Sequence, residues 1–285
     1  MSKGLSILAA SLLTLSAVQA RTAESCGRTC LTGLAERYMD ALVARTPDQL
    51  PWASTVRYSE NAVPMAIGDG TWGTVTARSK TALEAADPKT GEAIWMGEIE
   101  EHGQPAFFAL RLRAEGGKIA AIEAVIRRSG GPPEYGDPVA WGHEPEFGQA
   151  AKTPMTRPHL TALVNGYLDQ MQGKPTPTRL APDCGRKVNG VGVVESCQAQ
   201  LKAGVFKPVE RVRARRVSVV DEANGVVVVQ GFQDFPERED VYAGRPAPAK
   251  YPYSLGFIAA FKIKDGGIWR IEEISTALPY LMPAP

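Results

Sequence analysis

Two stretches of this chain place apolar residues at helical spacing and in the same register. Leu31, Leu34, Ala35, Tyr38, Met39 and Leu42 fall on one helical face. Leu160, Leu163, Val164, Tyr167, Leu168 and Met171 do the same further on, and both stretches contain Tyr-x-Asp: Tyr38-Met39-Asp40 and Tyr167-Leu168-Asp169. Thr156 and Pro158 mark a start for the second helix. Each helix is followed by a polar stretch containing proline and then by a short strand. In the first copy this is VRYSENAVPMAIGDG, residues 56–70, with Glu60 between apolar neighbours and a Gly68-Asp69-Gly70 turn. The weaker second copy is RKVNGVGVV, residues 186–194, where Val188 and Asn189 stand in place of Glu60 and Asn61.

Strand patterns then repeat. From about Thr74 a hairpin turns at Asp87-Pro88-Lys89-Thr90-Gly91 into 93–100. From Val209 another turns at Asp221-Glu222-Ala223-Asn224-Gly225 into 226–232. Glycine at the turn's end supplies the positive φ such hairpins need. Two closing strands follow in each copy, 106–113 with 118–128 and 255–264 with 268–276. Both pairs turn on Gly-Gly, and both last strands carry Ile-Glu, Ile122-Glu123 and Ile271-Glu272. Agreement in helix register, turn position and turn residues predicts a duplicated module. Between the copies, residues 129–154 are rich in Gly and Pro and show no period, which reads as a linker. Tyr135, Trp141 and His143 within it either pin the linker to the protein surface or cover a pocket mouth.

Residues 1–20 read as a signal peptide: Lys3, an apolar run over 5–18 too short to anchor in a bilayer, and a small-residue cleavage pattern at Val18-Gln19-Ala20. Lys3 is one of 32 basic residues, so its removal leaves the mature chain neutral against 31 acidic ones. A neutral chain offers no electrostatic reason to bind nucleic acid or an anionic membrane. Cys26, Cys30, Cys184 and Cys197 all lie beyond the leader, and an exported chain in an oxidising compartment pairs its cysteines. Of three connectivities, Cys26–Cys30 and Cys184–Cys197 are favoured because each pair stays within one copy. The second closes a loop worth about 3 kcal/mol in the chain-entropy model. The competing zinc reading is poor, since no CxxC occurs and the three histidines are scattered.

A helix, a short strand and a bent four-stranded antiparallel sheet resemble the NTF2-like fold, the family of SnoaL-like cyclases and ketosteroid isomerase. The markers are RYMDAL (37–42), VRYSEN (56–61) and GGKIAAIE (116–123), with GYLDQM and GGIWRIE as second copies. The whole chain is also similar to a family of exported tandem proteins of unknown function, through ENAVPMAIGDGTW, EHGQPAFFALRL and PDCGRKVNG. The resemblance implies an α+β protein of two tandem NTF2-like (cystatin-like) cones, residues 21–129 and 156–285, joined by a linker over 130–155. It further implies that the cones pack as an internal pseudo-dimer, in a monomer or a homodimer; the leader predicts a periplasmic or extracellular chain with no membrane anchor, and no metal or cofactor is expected.

Glu60 leads the candidate residues, because it falls where the isomerases resembled here carry their general base. A carboxylate inside an apolar cone is desolvated, which raises its pKa toward working pH. The alternative is that Glu60 faces out and pairs with Arg57. Tyr38 matches the helix tyrosine that donates to the oxyanion in the isomerases, or is plain core. Their second donor, an aspartate, aligns with Ala109 here, which argues against a simple steroid isomerase. Arg111, on the same face by strand alternation, either supplies a positive charge to the site or pairs with Glu123. Trp72, Trp95, Arg57, Asn61 and His102 complete the expected substrate contacts, against readings as core aromatics, surface charge or a solvated hairpin tip. The run Arg211 to Arg216 alternates like an edge strand with one wet face.

No GxSxG, P-loop, GxGxxG opening a helix or HExxH occurs. Two functions remain. One is a cofactor-independent lyase or isomerase using general acid–base chemistry on a small, largely apolar molecule, aromatic or not, in the first cone, with enzymes that remove formaldehyde from lignin-derived diaryl compounds as precedent by fold. The other is a non-catalytic pocket protein of the cell envelope. The loss of Glu60 from the second copy predicts that only the first cone is active. It also predicts that Glu60→Gln leaves stability level or raises it, since a desolvated carboxylate is a liability.

Overall fold

The computed structural model describes residues 26–130, 135–143, 145–193, 196–236, 241–242, 245–246 and 252–285. The expected signal peptide lies outside them. The first half runs α1 (Arg28–Ala44), β1 (Trp52–Glu60), β2 (Val63–Pro64), α2 (Thr71–Thr74), β3 (Val75–Arg78), β4 (Leu83–Asp87), β5 (Glu92–Glu101), β6 (Gln104–Glu115) and β7 (Lys118–Arg127). The second runs α3 (Arg157–Met171), β8 (Leu180–Val188), β9 (Val191–Gly192), α4 (Cys197–Ala203), β10 (Arg211–Asp221), β11 (Val226–Phe235), β12 (Val241–Tyr242), β13 (Arg245–Pro246), β14 (Tyr253–Lys264) and β15 (Gly267–Pro279). The molecule is α+β.

The helical faces read from sequence are those that are buried. In α1 the six apolar positions and Ala41 are covered, and in α3 the six apolar positions and Gly166 are covered. The disulfides pair as favoured, Cys26 with Cys30 and Cys184 with Cys197. The first closes at the start of α1, where no side chain caps the helix.

The two sheets have one strand order. The first is β2-β1-β7-β6-β5-β3, with β4 also paired to β5; the second is β9-β8-β15-β14-β11-β10. The expected four-stranded antiparallel sheets are therefore larger and mixed, because β1 lies parallel to β7 and β8 parallel to β15. A strand joined to its neighbour by a long connection, not a tight turn, is free to run parallel to it.

Strand alternation divides the interior into three cores. Phe108, Leu110 and Leu112 of β6 face α1, while Phe107 and Ala109 face the other way. In β11, Val227 and Val229 face α3, while Val226 and Val228 face away from it. The outward faces meet, so Ile94, Met96 and Phe107 of the first sheet join Val228, Ile258 and Ile274 of the second in a shared core. This is why residues 226–229 are an unbroken run of valine: both of their faces are dry.

The segment read as a linker packs at the same junction. Tyr135 Oη donates to Pro105 O at 2.7 Å, and Trp141 meets Phe107 edge-on with centroids 5.4 Å apart. His143 Nδ1 lies 3.0 Å from Glu272 Oε2, and Phe147 is buried. Strand β10 is an edge, as expected, but its arginines are engaged. Arg211 and Arg213 donate to Asp234 at 2.9 and 2.8 Å, Arg215 pairs with Asp169 at 2.9 Å, and Arg216 donates to Glu123.

Candidate functional site

Alternation along β1 turns Tyr58 and Glu60 toward the helix side and leaves Arg57 exposed. Glu60 points inward and is 7% exposed. Its alternative pairing with Arg57 on the surface is not what the chain adopts.

Beyond Glu60 the backbone turns through Asn61 and Ala62 at φ 48° and 64°. It comes back past Glu60 at Gly70, whose φ is 63°. A Cβ on Gly70 would stand 2.5 Å from Glu60 Oε2, so only glycine permits both the conformation and the approach. Thr71 then delivers its backbone N–H to Oε1 at 3.0 Å and to Oε2 at 3.2 Å. The Thr71 hydroxyl and the Tyr58 hydroxyl both donate to Oε1. Among the described residues, every hydrogen-bond partner of the carboxylate is thus a donor, which is what an anion requires when water is excluded.

Tyr38 and Trp72 lie beside this network, with ring centroids 5.3 Å apart and edge to face. The Tyr38 hydroxyl is adjacent to the Tyr58 hydroxyl and the Trp72 indole N–H. Neither Tyr38 Oη nor Trp72 Nε1 has a hydrogen-bond partner among the described residues. Burial, then the nearby Tyr58 and Glu60, push the Tyr38 phenol well above its ordinary range. Burial and Glu60 do the same to Tyr58. Both phenols therefore stay protonated, and Tyr58 is the one that donates, to Glu60. Tyr58 and Thr71 were missed from sequence. Tyr58 was reachable, since it sits two residues before Glu60 on the same strand face; Thr71 was not.

The remaining expected contacts separate from this cluster. Arg111 lies on the face of β6 turned away from α1, with Phe107 and Ala109, so it cannot serve the Glu60 side. It grips Glu92 through Nε at 2.9 Å and through Nη2, and Glu123 through Nη1 at 2.8 Å. The ion-pair reading is the correct one, and Ala109 is likewise no donor position for that interior. Trp95 is buried core, its indole donating to Glu36 at 2.9 Å. Asn61 spends its amide on the backbone of Ile126, accepting from N at 2.8 Å and donating to O at 3.1 Å, which extends the β1–β7 pairing past the strand end. His102 is exposed at the β5–β6 tip, with φ 50°.

The second half keeps the frame and alters the chemistry. Asn189 repeats Asn61, with φ 45° and Oδ1 accepting from Ser275 N at 2.9 Å. Val188 holds the place of Glu60 and Arg186 that of Tyr58. Glu60 pairs with Ala124 across the parallel strands, and Val188 pairs with Glu273. A carboxylate thus recurs at the same level on the neighbouring strand, where Arg186 Nη2 donates to Glu273 Oε2 at 3.0 Å. Tyr167, the counterpart of Tyr38, is pushed up to about 12, chiefly by burial.

Among the described residues no helix is long and apolar enough to cross a membrane. Residues 153–275 match the family model of a domain of unknown function, DUF8021. No curated protein matches the chain. Several solved structures are similar to part of it. A candidate SnoaL-like polyketide cyclase from Jannaschia sp. CCS1 is 13% identical over 45% of this chain and 91% of its own, with a TM-score of 0.34. A candidate polyketide cyclase from Xanthomonas campestris is 21% identical over 41% and 90%, with a TM-score of 0.33. A candidate ketosteroid isomerase from Kribbella flavida is 15% identical over 41% and 92%, with a TM-score of 0.27. Such identities transfer no activity.

Proposed function

We propose that the chain is an exported tandem of two NTF2-like units, monomeric or homodimeric, whose first unit binds a small, largely apolar carbonyl compound. It acts on that compound as a cofactor-free lyase or isomerase. The observation that carries the reading is the buried Glu60 carboxylate with Tyr38 Oη and Trp72 Nε1 beside it, two donors that make no well-aligned hydrogen bond although Tyr38 Oη lies close to both Trp72 Nε1 and Tyr58 Oη. A carbonyl oxygen admitted by an opening of this covered cluster would accept from both, and an oxyanion more strongly as charge develops. Glu60 is the base within that cluster, and Tyr58 and Thr71 position it. The two disulfides fit an oxidising compartment.

One observation favours the second reading, a pocket that binds without turnover. Both Glu60 oxygens already accept hydrogen bonds, as a purely structural carboxylate would. The test is a thermal-shift screen of aryl ketones and aldehydes against the full chain. A compound that raises the melting temperature for the parent and not for Tyr38→Phe supports the site, because ligand bound to the native state must stabilise it. Turnover that falls about 10²- to 10⁴-fold in Glu60→Gln supports catalysis. Unchanged shifts in both Tyr38→Phe and Trp72→Phe would remove the site from that interior.

A further inference from the structure

We propose that residues 280–285 are a releasable strap across the cleft between the two sheets, latched through one buried carboxylate, Asp234. The cleft is a space of about 370 Å³. One wall is the outward face of the first sheet at Ser59, Glu123 and Val125, and the other belongs to the second sheet at Gln230, Phe232 and Ile258. Ala284 and Pro285 of the strap complete the lining. The cleft lies behind β1 and β7, on the opposite face of the sheet from the Glu60 cluster, so the strap is independent of the function proposed above.

Pairing of β14 with β15 ends at Tyr253 and Pro279. The chain then turns, with Met282 N donating to Pro279 O at 3.0 Å and Leu281 at φ 61°. Two side chains of the second sheet hold it there. Leu281 N donates to Ser254 Oγ at 3.0 Å, and Arg213 Nη2 donates to Met282 O at 2.7 Å. Both side chains are set by Asp234, which is fully buried on β11. Ser254 Oγ gives its one hydrogen to Asp234 Oδ1 at 2.6 Å, so toward the strap it only accepts. Arg213 Nε donates to Asp234 Oδ2 at 2.8 Å, and its guanidinium carbon lies 4.4 Å from the centroid of the Phe232 ring. Those two contacts leave Nη2 directed at Met282 O. One carboxylate thus presents an acceptor and a donor to two successive residues of the strap.

The anchors grip main-chain atoms, and the strap's side chains add little to them. Leu281 is 45% exposed, and Pro283, Ala284 and Pro285 are exposed. Tyr280 Oη donates to Glu210 Oε2 at 2.8 Å, in an exposed contact. Lifting the strap therefore breaks a few hydrogen bonds and uncovers little apolar surface of its own. That is the profile of a segment that opens while the rest of the chain stays folded. Release also relieves Leu281 of a left-handed backbone, which a residue with a Cβ holds only at a cost. Pro279, Pro283 and Pro285 fix φ at their positions, so the segment moves as a stiff piece about Pro279. Lifted, it takes Ala284 and Pro285 out of the lining and opens the cleft at Phe232 and Ile258.

Amide hydrogen exchange of the full chain reads the strap directly. Leu281 N–H is expected to exchange about 10- to 10³-fold more slowly than in an unstructured peptide, through an opening that low urea does not accelerate, while the Ile258 amide of β14 exchanges only with global unfolding. Ser254→Ala removes the acceptor and should speed Leu281 exchange about tenfold. That change also strips a donor from Asp234, so a second test leaves the latch whole. All four cysteines are in disulfides, and Thr276→Cys therefore places a single free thiol in the cleft. Deleting residues 281–285 from that variant should raise its rate of alkylation by a bulky maleimide at least about tenfold. The proposal is overturned by Leu281 exchange at the unstructured rate, or by Leu281 exchange that occurs only with global unfolding. A thiol that reacts at the same rate with and without residues 281–285 overturns it as well.

Discussion

Replacing Glu60 by Gln tests the central geometry through stability alone, with no substrate needed. In the parent, Oε1 accepts from Tyr58 Oη, Thr71 Oγ1 and Thr71 N, and Oε2 accepts from Thr71 N at 3.2 Å. Glutamine offers one acceptor atom. With its oxygen in the place of Oε1, its amide nitrogen takes the place of Oε2 and confronts the Thr71 N–H, donor against donor. The surviving bonds become neutral and lose their charge assistance, at roughly 0.5–1 kcal/mol each. Together these give a destabilisation of about 2–3 kcal/mol. The sign is opposite to the one that sequence suggests, because a desolvated carboxylate is a liability only where donors are lacking. Urea denaturation at pH 7 reads the effect as a lower midpoint with unchanged slope. Combining it with Thr71→Val should recover about 1 kcal/mol of coupling, since the two residues share their bonds. A Gln variant as stable as the parent would mean that the donors do not hold the carboxylate, and the proposed positioning by Tyr58 and Thr71 would fail with it.

Gly70→Ala should cost at least about 2 kcal/mol, from a strained backbone at φ 63° and a Cβ 2.5 Å from Glu60 Oε2; an unchanged melting temperature would refute the close approach. Glu84 is pushed up from 4.5 to about 7 by burial and then by Glu36 beside it. The folded chain therefore keeps a proton that the unfolded chain releases, and stability falls as pH rises from 4.5 through 7. Glu84→Gln should stabilise at pH 8, by about 1 kcal/mol once solvent screening of this part-exposed group is allowed for, and do nothing at pH 4. Equal effects at the two pH values in chemical denaturation would contradict the assignment. Asn61→Ala and Asn189→Ala should each lose about 2 kcal/mol, since both amides continue a parallel strand pairing at positive φ. A loss under about 0.5 kcal/mol in urea melts would show those bonds to be incidental.

The sequence by itself determined the local layout. Helix faces, hairpin turns and disulfide pairs were legible because each depends on residues near one another in the chain: the period of Leu31 to Leu42, Gly91 and Gly225 at turn ends, Cys184 close to Cys197. The inward direction of Glu60 was open at that level, because alternation says that Tyr58 and Glu60 share a face but not which face is dry. Tertiary structure decided that, and with it the fate of Arg111. Arg111 stands one residue from Leu110, and only the packing of the first sheet on the second makes its side of β6 an interface and not a pocket. Thr71 reaches Glu60 through a loop whose path no periodicity encodes, and Glu123 meets Arg216 from the far half of the chain. Short-range pattern follows from backbone geometry. Which buried polar group meets which partner follows from how two sheets close over each other, and that is a property of the whole fold.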